Sequence, residues 1–355
     1  MISGLGTLLI FIIILGVIVL VHEFGHFFFA KKFGVYVHEF SIGMGPKLWG
    51  KKKGETDYSI RAIPIGGYCA LAGEDGEETD DKGKKIPKNK KLFAKPIWQR
   101  FLILFFGAGN NFILAIVLLF LIGLIFGAPN MDTTITNLTE GYPMEEAGVE
   151  VGDKIIKING HKTRTMDDVQ VRLLLVKEGS DLDLTVRKAD KSIKTYTIKP
   201  KKDTINGETK YYYGITFVTS YKHGPINAVI YAFEKTGAMI RQMIIVLGSL
   251  FTGKLSVGSL SGPVGIYSTV GEAKEYGIAT LIQLTALLSI NIGFLNLIPF
   301  PAFDGGRIFL LLIEKIRGKP MKSETENMIN TVGFILIIIL ALYVTGSDIF
   351  KLIKK

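Results

Sequence analysis

Apolar residues along this chain gather into long blocks separated by polar stretches. Residues 5–30 are almost wholly apolar and long enough to cross a bilayer as a helix, and Lys31 and Lys32 follow at once. Further blocks cover 99–127, 278–300 and 327–345. The third is broken at Pro299 and Pro301, and a short helical piece is predicted from there to Ile316. Residues 225–251 are apolar too, but Glu234, Lys235 and Arg241 interrupt them. Buried in lipid those charges would be costly, so an interfacial helix is the first expectation and a tilted span the second.

Between the blocks the period changes. Around residues 55–68, Tyr58, Ile60 and Ala62 alternate with Asp57, Ser59 and Arg61, the pattern of a half-buried strand. Pro64 and the pair Gly66-Gly67 are expected to bend or end it. Residues 40–46 read as a loop by composition, and 73–91 as a solvated linker. Residues 130–220 are turn-rich and β-branched, with 14 Lys/Arg against 14 Asp/Glu. There Asn159-Gly160 signals a hairpin turn. A helix is predicted over 165–178, and strands over 181–188 and 192–199. Residues 260–265 read as a loop.

The fold class that follows is a polytopic α-helical membrane protein with about four transmembrane helices and an inserted α+β domain. Its parts are a first transmembrane helix (1–34), an inner-side loop and β-region (35–96), a second helix (97–128) and an outer domain (129–222). An interfacial helix with a loop (223–274), a third helix (275–318) and a fourth with the tail (319–355) complete it. The first block is expected to be retained, because its apolar core is too long for a secretory signal and no basic residue precedes it.

Charge orients this plan. The net charge is +10, and residues 31–100 carry 15 Lys/Arg against 9 Asp/Glu. The excess flanks apolar blocks, as the positive-inside rule requires, and lacks the aromatic interleaving of nucleic-acid binders. Nucleic acid is therefore excluded as a partner and the lipid bilayer expected. The N-terminus, the 129–222 domain and the tail fall outside. Cys69 is the single cysteine, so an intramolecular disulfide is excluded and any metal must use His and carboxylate.

The first block ends in Val21-His22-Glu23-Phe24-Gly25-His26. On a helix His22 and His26 lie one turn apart on one face, able to share a Zn2+ ion, with Glu23 beside them as general base. The first and third helices run the same way through the bilayer, so Asp304 and His26 reach similar depth near the inner side. Asp304 is the third ligand, which leaves a fourth position open for water, as catalysis requires. Glu23 would take the proton of an activated water and pass it to the leaving amine. Asn296, just before the proline break, is a substrate-backbone contact or a helix cap. A helical substrate must unwind to be cut, and the strand edge at Tyr58 and Ile60 is the candidate to capture it. His38 is expected to face solvent.

These residues resemble the bacterial site-2 proteases, intramembrane zinc metalloproteases. The match runs over His22-Glu23-Phe24-Gly25-His26 and over Asn296-Leu297-Ile298-Pro299-Phe300-Pro301-Ala302-Phe303-Asp304-Gly305. It implies His22, His26 and Asp304 as zinc ligands, Glu23 as catalytic base and Asn296 as substrate contact. Gly43-Met44-Gly45-Pro46 resembles the family's inner-side loop, which adds Gly43 and Gly45 to the substrate-facing set. The strand before Gly66-Gly67-Tyr68 resembles its membrane re-entrant β-region, and Ser261-Gly262-Pro263-Val264-Gly265 another of its signatures. The 129–222 domain resembles a single PDZ domain through its Gly148…Gly152-Asp153…Asn159-Gly160 pattern, with Tyr213, Gly214 and Ile215 at the position of its peptide-binding loop. One departure is Gly107-Ala108-Gly109-Asn110-Asn111, where the family has Gly-Pro-x-x-Asn.

The resemblance implies regulated intramembrane proteolysis at a bacterial plasma membrane. The active site would lie near the cytoplasmic side and the PDZ domain outside. Implied substrates are single-span anti-sigma factors already trimmed outside, and signal-peptide remnants. A broken-helix transporter is the rival from another class, but it predicts internal repeats, and the two halves share none. An inactive PDZ membrane scaffold is the third reading, and the presence of all four key side chains argues against it.

Overall fold

From Ile2 to Lys32 the first apolar block is one helix of 31 residues, α1, in a computed structural model of the chain. The structure describes residues 2–73, 79, 83–205, 208–216, 220–319, 321 and 323–354. After α1 come the strands β1 (Val37–Lys53) and β2 (Thr56–Leu71), then α2 (Ile97–Ile125). The short strands β3 (Ala128–Pro129) and β4 (Asn137–Leu138) precede α3 (Pro143–Glu146), β5 (Lys154–Ile158), β6 (His161–Lys162) and α4 (Met166–Leu174). Next are β7 (Leu182–Arg187), β8 (Ile193–Ile198), β9 (Lys201–Ile205), β10 (Glu208–Tyr212), β11 (Ile215–Thr216) and β12 (Tyr221–Lys222). The remaining helices are α5 (Pro225–Phe251), α6 (Pro263–Glu275), α7 (Ile278–Leu297), α8 (Asp304–Arg317) and α9 (Ser323–Lys354). Four of the described helices are long and apolar enough to cross a membrane: α1, α2, α7 and α9.

Two compact units divide the chain, Met1–Leu118 with Val257–Lys355, and Leu119–Ser256. In the first, Phe11, Ile14 and Ile18 of α1 pack with Val270 of α6 and Leu288 of α7. The 260–265 stretch was expected to be a loop, but α6 begins at Pro263, because proline suits the first helical turn. Asp348 of α9 is buried and accepts the backbone N–H groups of Gly262 and Gly265, both at 2.8 Å, and so caps that turn.

β1 and β2 correct the reading of 35–96 most. Residues 40–46 belong to a 17-residue strand, and β2 continues past Pro64 to Leu71. Gly43, Gly45 and Gly66 have φ of +86°, +83° and +84°, so they fold the strands back instead of ending them. The register shows the result. Residues 37–42 lie against 67–71 on one side and, from Glu39 to Ile42, against 57–60 on the other, while 47–53 pairs with 56–61. Two bent strands thus form four rows in the order 67–71, 37–42, 56–61, 47–53. Glu39 is the hub of the interior: Arg61 donates to it at 2.8 Å, and Ser59 and Tyr68 also donate to it. Most of the 73–91 linker lies outside the described residues or carries no element, but its end is tied down. Tyr36 N–H donates to Lys90 O and Leu92 N–H to Ala72 O.

The second unit holds a four-stranded antiparallel sheet in the order β6-β5-β7-β8. Asn159 and Gly160, with φ of 47° and 75°, make the predicted tight turn between β5 and β6. Ile155, Ile158, Val169, Leu182, Leu184, Val186 and Ile198 form its core, with Leu173 and Val176 packed on it. Burying each such side chain stabilises the fold by roughly 1.5–3 kcal/mol. Thr165 caps α4 through a capping box with Asp168. Two of the three charges that interrupt α5 are paired here: Lys235 with Asp167 at 2.7 Å and Arg241 with Asp168 at 3.1 Å.

Candidate metal centre

α1 is helical without interruption through His22-Glu23-Phe24-Gly25-His26, and this fixes the histidines at one-turn spacing. Their rings stand edge to face, centroids 5.0 Å apart, with Nε2 to Nε2 3.3 Å. Each histidine is only 9% exposed. Two glycines allow α2 to lie this close. A β-carbon on Gly25 would fall 1.9 Å from Phe106 O, and one on Gly107 only 2.2 Å from His26 Nε2.

Asp304 arrives from the broken segment. α7 ends at Leu297, the chain turns through Ile298–Phe303 with Ala302 at φ +74°, and Asp304 opens α8. The turn is tight enough that a β-carbon on Gly305 would meet Ile298 O at 2.3 Å, and one on Gly306 would meet Phe300 O at 2.3 Å. α9 backs it, with Gly333 against Pro301. Arg100 of α2 holds both carboxylate oxygens of Glu314 at 2.9 Å, which ties α8 to α2. Asp304 Oδ2 thereby comes 3.2 Å from His22 Nε2 and 3.4 Å from His26 Nε2.

Three ligand-type atoms from distant parts of the sequence thus lie within 4.8 Å of one another. Asp304 Oδ2 is buried, and among the described residues no donor is aligned on it for a hydrogen bond. His26 Nδ1 faces Ile103 O at 2.9 Å, and because a carbonyl only accepts, Nδ1 carries the ring proton and Nε2 the lone pair. Two imidazoles and one carboxylate, turned towards one another and largely shielded, fit a zinc ion, and three donors leave its fourth position to water or substrate. Glu23 is half-buried with His22, His26 and Asp304 as its ionisable neighbours, and its Cγ is 3.9 Å from where a β-carbon on Gly67 would stand.

The other expected positions fare differently. Asn296 is half-buried in the last turn of α7, does not cap it, and makes no side-chain hydrogen bond among the described residues. Tyr58 and Ile60 sit in the row 56–61, paired on both sides, so they offer no open edge. The open edge beside Glu23 is the row 67–71, which no other described strand joins on its outer side. Alternation marked 58–62 as a strand, but it carries no information on which row ends up outermost. Gly43 and Gly45 form a bend of the sheet, with Arg61 donating to Gly45 O. His38 is half-buried, its ring 4.9 Å from that of Tyr36, and does not face open solvent. In the second unit, Tyr213 O and Gly214 O accept from Met144 and Thr139, and Ile215 pairs with Leu138.

Comparison with known proteins gives concordant results. Residues 10–340 match the model of peptidase family M50. A Clostridium perfringens protein named as a zinc metalloprotease is 37% identical, over 94% of this chain and 95% of its own. A Staphylococcus aureus protein with the same kind of name is 34% identical, over 98% and 99%. The regulator of sigma-W protease RasP of Bacillus subtilis is 33% identical, again over 98% and 99%.

Proposed function

The chain belongs to peptidase family M50, the site-2 proteases, and with the zinc metalloprotease activity of a multi-pass membrane protein as premise we propose how its own residues do the work. His22, His26 and Asp304 hold the zinc. When bound, the ion supplies Lewis acidity that makes water a nucleophile near neutral pH and polarises the scissile carbonyl. Glu23 takes a proton from water in the site and returns it to the leaving amine. Asn296, with its amide uncommitted, binds the backbone of the substrate. The open row 67–71 captures that backbone in extended form by strand addition, beside Glu23. Gly43 and Gly45 keep the bends that leave this edge free. The observation that carries the reading is the convergence of His22, His26 and Asp304 within 4.8 Å.

The substrates proposed are single-span membrane proteins: anti-sigma factors already trimmed outside, and signal-peptide remnants. The Bacillus subtilis relative carries sigma-W regulation in its name, which supports the first class. Basic residues at Lys31, Lys32 and around α8 orient the catalytic side to the cytoplasm. On that topology the 129–222 domain lies outside and serves as a single PDZ domain, with Tyr213, Gly214 and Ile215 as its peptide loop, screening out substrates with bulky outer parts.

E23Q tests the assignment. Zinc stays at the wild-type level, and cleavage of a membrane-anchored reporter falls by about 10²–10⁴-fold, the range of a lost general base. H22A and D304A lose the metal as well. Cleavage by E23Q at the wild-type rate would remove Glu23 from the chemistry.

A further inference from the structure

We propose that Asn111 is a positioning residue for the metal centre, fixing the proton of His22 on Nδ1 so that Nε2 is free to bind zinc. The inference rests on the ligand assignment above. A neutral imidazole that binds a metal through Nε2 carries its proton on Nδ1, and that proton needs an acceptor. For His26 the acceptor is Ile103 O. For His22, among the described residues, the group facing Nδ1 is the side-chain amide of Asn111, at 3.5 Å.

Asn111 is fully buried, 0% exposed, and its Oδ1 has no hydrogen-bond partner among the described residues. The atom drawn towards His22 is Nδ2, a donor, which would demand a lone pair on Nδ1 and put the proton on Nε2. That nitrogen is the one 3.2 Å from Asp304 Oδ2. The two ends of an asparagine amide have nearly the same shape, and the network decides which is which. Turned by half a rotation, Oδ1 accepts from Nδ1–H, and the buried oxygen gains its donor. The backbone that carries Asn111 is held for this. Ser289 Oγ donates to Asn111 O at 2.8 Å, and α7 comes in over Gly293, where a β-carbon would stand 3.1 Å from Asn111 Cβ.

The test measures zinc affinity of the full-length protein in detergent by competition with a chelator, together with the visible spectrum of the Co2+ form. Wild type and H22A come first. If wild type takes up no zinc, or H22A does not weaken it, the ligand assignment itself fails. Given that control, N111L removes the acceptor at similar volume and lowers zinc affinity about 10–100-fold, the usual cost of losing such a partner. N111D can only accept, so it rescues the affinity to within a few-fold of wild type and restores the Co2+ spectrum. Affinity in N111L equal to wild type, or a loss in N111D as large as in N111L, overturns the inference. If N111L does not fold, N111D against wild type decides alone: retained affinity supports the acceptor role, and a tenfold loss overturns it.

Discussion

Gly107 shows how a residue without a side chain governs the centre. The space its β-carbon would occupy is already filled by the His26 ring, 2.2 Å away, and the atom met is Nε2 itself. G107A therefore displaces the His26 ring or pushes α2 off α1. Expected is a zinc affinity lower by at least about tenfold and a matching loss of cleavage, read by metal analysis and a reporter assay. Gly25 is the reciprocal contact, against the Phe106 backbone. At this scale much was legible. The meeting of His22, His26 and Asp304 was foreshadowed by one-turn helical spacing and by an acid beside a proline break. Gly107 was visible only as an oddity beside Ala108, where the related pattern has proline. Nothing in the sequence says which atom a glycine touches.

Among the elements, the proposed capture of substrate by strand addition turns on the bent pair β1 and β2. G67A places a methyl group 2.5 Å from Ser41 O and shifts the open row. Cleavage of a transmembrane reporter is expected to drop by roughly tenfold while zinc content holds, because strand addition relies on backbone groups of that row. I60A, in a row paired on both sides, changes cleavage less than about twofold by the same argument. Equal effects of the two would put the capture edge elsewhere. Asp348 works on another pair of elements, with its carboxylate on the N–H groups that open α6. D348A leaves those donors unpaired, and removal of charge-assisted hydrogen bonds costs about 1.5–3 kcal/mol each at most. A lowered midpoint of thermal unfolding in detergent checks it. Helix α6 escaped the sequence reading because Gly262, Pro263 and Gly265 signal a turn, and only Asp348, 83 positions after Gly265, supplies the cap.

For the molecule as a whole, pH is the informative variable. Burial by itself would raise the Asp168 carboxyl, but Arg241 and the N–H groups of Arg164 and Thr165 outweigh it and hold the carboxyl below its ordinary value. A depressed carboxylate contributes stability above its unfolded pKa and loses it as pH falls through the folded one. The α4–α5 clamp is thus fully present at neutral pH and weakens below about pH 4. D168N should lower thermal stability at pH 7 and narrow the gap to wild type as the medium is acidified, seen by circular dichroism; a constant gap would remove the charge from the explanation. The sequence by itself determined the membrane class, the four helices long and apolar enough to cross a membrane, the strands of the 130–220 region, and the residue types that converge at the candidate site. These are set by composition and by periods of two and 3.6, which are local properties of the chain. The tertiary structure decided which row of the sheet stays open, that 40–46 is strand and 263–275 helix, and which groups face the two histidines of the candidate site. Those outcomes depend on partners distant in the chain, and a pairing between distant residues leaves no local trace in the order of the amino acids.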